Sequence, residues 1–457
     1  MHLKIGGPAF WGCTGLVCLT GFVIAGTAGR TATTTSSKSV ITWLFTAAPR
    51  YDSRAWLENG ERFPGGATIQ VVSASGRRAL VEGFTATADP DLSFDAVRVL
   101  FAGKQRANDP WRIWEVPLAG GVPRVVSNGE GDCYRPFYLP QNQIVYTRRT
   151  AAGSQIEVAP LDGGKPERLT FAPGHFLTAD VLRDGRVLFE AEHSYGGARA
   201  AREIMTVYPD GTGVESIRCD HGADRYEPRE IASGDIVFAQ GGKLQRFTSA
   251  LAHETPVTVA AAGEIAGPVA ESEPGNLIFA ARANAKALFR IAALPAGVHR
   301  PGMNELQPVL VAPRTAPRRF PSALLATRTA GNLLCLNVAT SRDAILGKTI
   351  RSVRVYTQDG TGKPALLGTQ AVEKDGSFFV QLPGDRPLRL EALDGAGRVV
   401  SAERNWWWMR TAEQRVCVGC HAGPERAPEN AVPEVLLRKD VPVPMLKPVA
   451  EQRSRQN

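Results

Sequence analysis

Several signatures of common chemistry are missing from this sequence. It has no G-x-S-x-G nucleophile elbow, no G-x-x-x-x-G-K-[ST] phosphate loop and no H-E-x-x-H pair, His253-Glu254 lacking the second histidine. Serine-hydrolase, nucleotide-binding and zinc-protease readings lose their footing. Cysteine is scarce and scattered, seven in 457 residues, which excludes a disulfide-rich mini-protein. No lysine-rich run or basic helix occurs. The 53 Lys+Arg and 45 Asp+Glu are interspersed, so the net charge of +8 gives no nucleic-acid footprint and no nucleic-acid partner is expected. The longest apolar run, about 15 residues from Phe10 to Ile24, falls short of the ~20 that cross a bilayer comfortably, which excludes a polytopic membrane protein.

What is present is an ordinary globular composition, 43% hydrophobic and 21% charged. The length suits roughly two to four domains. The 46 Gly and 32 Pro follow no collagen period and imply many tight turns, a texture of short strands and an all-β fold. Residues 1–29 carry Lys4, the apolar run and then the small residues Ala25-Gly-Thr-Ala28-Gly29, the layout of a secretory signal. The mature chain is therefore expected to be periplasmic or otherwise exported. Cleavage falls near Ala28, with retention as an inner-membrane anchor as the alternative. Residues 30–40, rich in Thr and Ser, read as a flexible linker.

From 41 to 340 one short pattern returns, a turn residue followed by β-branched residues and an aromatic ring. The aromatics are Phe101, Tyr146, Phe189, Phe238 and Phe279. Their spacing of about 41 to 49 residues is the period of four-stranded propeller blades. Gly120-Gly121, Asp162-Gly163 and Asp210-Gly211 supply hairpin turns between them. Ile41–Phe45 and Leu333–Leu336 look like the same unit at either end, so the ring is expected to close by pairing them, giving six blades, with seven as the alternative. Residues 341–405 hold five alternating runs, 350–355, 368–372, 377–382, 388–393 and 398–402, separated by Asp-Gly turns, and predict a small β-sandwich. A C-terminal segment at 406–435 and a Pro-rich extended tail at 436–457 complete the division.

Chemistry enters with Cys417-Val-Gly-Cys420-His421, the C-x-x-C-H pattern of covalent haem attachment. Two thiols at this spacing each reach one vinyl group of a single haem, and the adjacent imidazole is delivered to the iron as axial ligand. A zinc knuckle needs four ligands and no second Cys/His cluster lies nearby. A thioredoxin-like pair lacks its βαβ setting, and a structural disulfide leaves His421 without a role. One covalently attached haem c is therefore the expected cofactor, with Cys417 and Cys420 as attachment points and His421 on the iron. Met445, Met409 and His299 are candidate sixth ligands, with His175, His193 and His221 as further histidines on propeller loops. Trp406, Trp407 and Trp408 should alternate in direction, either walling the porphyrin or packing sandwich on propeller. Arg404, Arg410, Arg415 and Arg426 are candidate partners for haem propionates.

The stretches Asp89-Pro-Asp-Leu-Ser-Phe-Asp95, Tyr134-Arg-Pro-Phe-Tyr-Leu-Pro140, Leu334-Cys-Leu-Asn-Val338, Asp375-Gly-Ser-Phe378 and Arg415-Val-Cys-Val-Gly-Cys-His421, in this order, resemble the hydrazine synthase alpha subunit middle-domain family. The resemblance implies a propeller bearing a c-type haem and redox catalysis on a small compound, with nitrogen compounds as candidate substrates. Electron transfer to a redox partner protein is the other role a haem of this type can fill. Only one haem motif is present where the resemblance implies two, and Glu425 stands four places beyond His421 where it implies a tyrosine. The alternative from another class is a propeller protein-binding module whose haem is structural or sensory.

Overall fold

The computed structural model describes residues 43–74, 76–193, 201–218, 223–248, 255–259, 263–322, 324–325, 327–340, 348–403, 405–419 and 430–448. The expected leader and linker, Cys420 and His421 lie outside them. Among the described residues no helix is long and apolar enough to cross a membrane, and the helical content is three short 3-10 turns and the α-helical Lys348 and Thr349.

Strands follow one another as antiparallel groups of four. The group Ala86–Leu92, Arg98–Lys104, Arg112–Pro117 and Arg124–Val125 is representative, with each strand paired to the next. Like groups begin at Asp132–Leu139, Gly174–Val181 and Arg225–Glu230, and a three-stranded one begins at Glu264–Glu273. The first strand of each group contacts the first strand of the next, in cyclic order, and so encloses a central channel. This is a β-propeller-type scaffold. Its spaced aromatics behave as their period predicts. Phe101, Tyr146, Phe189 and Phe238 are fully buried on the second strand of their groups, and Phe279 packs in the cluster of Val237 and Ile265.

The ring closes with a different strand from the one expected. Trp43–Ala48 pairs antiparallel with Asn304–Leu310, Trp43 opposite Leu310 and Ala48 opposite Asn304. The strand containing Leu333, Ala330–Cys335, belongs instead to the second domain, where it pairs with Phe378–Pro383. Both candidates are short apolar runs, and local pattern cannot tell which partner each will find. Propeller strands thus end at Leu310, not near 340.

The second domain has two four-stranded sheets enclosing one core. The five predicted runs appear as Ser352–Gln358, Pro364–Ala371, Phe378–Pro383, Leu388–Leu393 and Val399–Ala402. Three further strands come from outside the expected limits of 341–405. They are Ala330–Cys335, Gln414–Cys417 and Val443–Pro444, all in the sheet of Phe378–Pro383. The C-terminal segment is therefore woven into the sandwich, contributing the buried Val435, and the expected surface tail contributes the buried Met445.

Candidate functional site: the Cys417 strand and the channel charge cluster

Gln414–Cys417 is an edge strand that runs parallel to Ala330–Cys335, with Cys417 in register with Cys335. Cys417 is half-buried against the sandwich core and is not disulfide-bonded. Burial pushes its thiol pKa up, while the Arg415 charge pulls the other way. The chain then passes Gly419 against the turn at 337–340. A side chain there would put its Cβ 2.1 Å from the Thr340 carbonyl oxygen and 2.7 Å from that of Asn337. Both obstacles are backbone, so only glycine lets the segment leave the strand by this route. If the C-x-x-C-H segment takes haem as the sequence predicts, Gly419→Val is expected to lower covalent haem content several-fold in chains matured with the haem-attachment machinery, with circular dichroism unchanged. Haem content equal to wild type would show that the close approach does not matter.

The tryptophans alternate as predicted and serve packing. Trp408 is buried against Phe171 and Phe176 of the propeller, and its Nε1 donates to the Gly211 carbonyl at 3.1 Å. Trp406 joins the same cluster, whereas Trp407 packs on the sandwich core. Arg410 donates to Asp385 at 2.6 Å and to the Asp210 carbonyl, and lies over the Phe171 ring. Arg415 donates to the Val214 and Trp408 carbonyls. Both guanidinium groups thus fasten the sandwich to the turn at 208–214 of the propeller; Arg404 and Arg426 lie outside the described residues.

The described sixth-ligand candidates have other partners. Met409 and Met445 are buried in the sandwich core, their side chains against Gly331 and Gly368. His299 Nδ1 lies 3.0 Å from the fully buried Glu305 carboxylate. His175 Nδ1 is 3.2 Å from Ser154 Oγ, and burial lowers its pKa. His221 and the side chain of His193 lie outside the described residues.

A second polar cluster, which the sequence reading missed, fills the propeller channel. Asp89, Arg135, Glu227 and Gln307 sit at β-bulges on four innermost strands, with positive φ of 58, 51, 52 and 55°. Each precedes a proline, Pro90, Pro136, Pro228 or Pro308. A bulge leaves one residue outside the ladder, and proline, having no N–H, forfeits no ladder bond there. The freed side chains turn inward. Arg62 donates to both oxygens of Asp89 at 2.7 and 2.6 Å, and Gln307 donates to the same carboxylate at 2.5 Å. Arg135 donates to Glu227 at 2.6 Å, and Tyr51 donates to the other Glu227 oxygen at 3.3 Å. The X-Pro pairs ahead of the strands of Phe101, Tyr146, Phe238 and Phe279 were the available signal.

Glu190 adjoins this cluster, its Oε1 accepting the Glu227 N–H at 2.9 Å. Burial and the Glu227 charge raise its pKa from 4.5 to about 7. Between those values the folded protein holds a proton that the unfolded chain has lost, so the contribution is complete at the acid end and gone above the folded pKa. Stability is expected to fall as pH rises through this window. Glu190→Gln, neutral at every pH, is expected to flatten the slope in denaturant titrations; an unchanged slope would assign the pH dependence to another group.

Fold and site together define a β-propeller-type protein whose β-sandwich carries a C-x-x-C-H segment at the end of an edge strand. Residues 338–422 match the hydrazine synthase alpha subunit middle domain family, a span that includes Cys417, Cys420 and His421. The chain is hydrazine synthase alpha-like. It is 36% identical over 61 residues to hydrazine synthase subunit alpha of Kuenenia stuttgartiensis, a stretch covering 13% of this chain and 8% of that protein. Kuenenia stuttgartiensis hydrazine synthase superposes with a TM-score of 0.74 at 17% identity, over 87% of this chain and 71% of that one.

Proposed function

We propose that the protein is an exported mono-haem c-type cytochrome-like protein built on a six-bladed propeller, working in redox catalysis on a small compound, nitrogen compounds being the candidates, or in electron transfer. The observation that carries this reading is the family match running through a C-x-x-C-H segment whose first thiol is free of any disulfide. The donor set fits the group. Cys417 and Cys420 would hold the haem through thioethers, and His421 would be its axial ligand. Bound there, the haem supplies one-electron exchange.

The chain's own residues provide the setting. The sandwich core anchors the strand that ends at Cys417, and Gly419 admits the turn that follows. Arg410, Arg415 and Trp408 hold the module on the propeller. A redox partner protein suits this arrangement, because the relative in Kuenenia is by its name a subunit. The leader at residues 1–29 supports export, and with it the oxidising compartment where attachment takes place.

The test is the visible spectrum of the full chain matured with the haem-attachment machinery, beside the Cys417→Ser/Cys420→Ser double variant. A c-type spectrum in the wild type that survives denaturation and is absent from the variant is expected. A ligand-accessible high-spin iron favours catalysis and a six-coordinate low-spin iron favours electron transfer; equal colour in both proteins would remove the reading.

A further inference from the structure

A third cysteine lies beside the haem motif. Cys335 and Cys417 are register partners on adjacent parallel strands. Side chains at paired positions point to the same face, and the two thiols meet the same sandwich core, Cys335 within it and Cys417 at its margin. Neighbouring strands lie about 4.8 Å apart, inside the ~4.4–6.8 Å between Cα atoms that a disulfide spans. Cys335 is buried, whereas Cys417 is half-buried on an edge strand.

We infer that in the haem-free chain Cys335 is the resolving thiol for Cys417, so that a small-molecule disulfide converts the pair to a Cys335–Cys417 disulfide that withholds Cys417 from haem attachment. The Cys417 thiolate attacks one sulfur of the small disulfide, forming a mixed disulfide and releasing one small thiol. The Cys335 thiolate then attacks the Cys417 sulfur and releases the second. Two protein S–H bonds and one external S–S bond are consumed; one protein S–S bond and two small thiols are formed. Formation of the bond rests on strand register alone, and only its consequence for haem loading rests on the proposed function.

The experiment uses the full chain produced without haem attachment, as wild type, Cys420→Ala and Cys335→Ala. Each is oxidised with glutathione disulfide, alkylated, digested and mapped by mass spectrometry. A peptide linking Cys335 to Cys417 is expected in wild type and in Cys420→Ala. In Cys335→Ala that peptide cannot form, and Cys417 is expected as the glutathione mixed disulfide or joined to Cys420. A link from Cys417 to Cys420 alone in the wild type, or a Cys417 still open to alkylation in oxidised Cys420→Ala, would overturn the inference. Oxidised wild type offered haem and the attachment machinery is expected to load about tenfold less than the same protein after reduction, and reduced Cys335→Ala is expected to load as reduced wild type does. Should no chain load haem even when reduced while the crosslink forms, the haem reading fails and the disulfide stands.

Discussion

Replacing Glu227 by alanine is expected to cost the fold about 3–5 kcal/mol, because it strands buried charge. Glu227 pairs with Arg135 at 2.6 Å and faces Arg62 at 3.9 Å, and all three side chains are almost wholly excluded from solvent. Truncation leaves the Arg62 and Arg135 guanidinium groups with Asp89, bonded to Arg62, as the carboxylate in direct contact, while Glu190 stands beside them, accepting the backbone N–H of residue 227. The Arg135 N–H that pointed at Glu227 loses its acceptor, and Tyr51 loses its own. By contrast, the Arg398–Asp394 pair exposes 80% of its arginine side chain, and Arg398→Ala is expected to change stability by less than about 0.5 kcal/mol. Denaturant unfolding of the two variants beside the wild type measures both. A loss for Glu227→Ala no larger than for Arg398→Ala would mean that the channel cluster is solvated.

Trp408→Ala is expected to cost about 3–5 kcal/mol as well, and to do so at one place. The indole is 1% exposed, meets Phe171 and Phe176 of the propeller, and bonds the Gly211 carbonyl. Its loss opens a cavity between propeller and sandwich and orphans an acceptor in a turn that already receives Arg410. Limited proteolysis is expected to cut first near 208–214 or in the 311–329 connection, giving two fragments. Cleavage spread evenly along the chain would show that Trp408 supports the fold in general and not this junction.

The parts of this structure legible in the sequence are those that depend on local period. The aromatic of each second strand, the Asp-Gly turns of the sandwich and the opposed directions of Trp407 and Trp408 all follow from alternation along a strand. What stayed hidden depends on partners distant in the chain. Ala330–Cys335 reads like any propeller strand, and only its pairing with Phe378–Pro383 and Gln414–Cys417 assigns it to the sandwich. Met445 read as a candidate ligand because a thioether near the C-terminus suits iron, yet a parallel pairing two residues earlier carries it into the core. The channel cluster was hidden for another reason. Asp89, Arg135 and Glu227 are charged residues beside prolines, which locally resemble exposed turns, and only the ring of bulges turns them inward.

The intact mass of the mature chain, after acidic organic extraction of loosely held pigment, tests the central claim most directly. The expected result is one haem retained on the full polypeptide and traced by digestion to the peptide containing Cys417 and Cys420. A mature chain matching the mass of the polypeptide alone, with both cysteines recovered as free thiols, would contradict it.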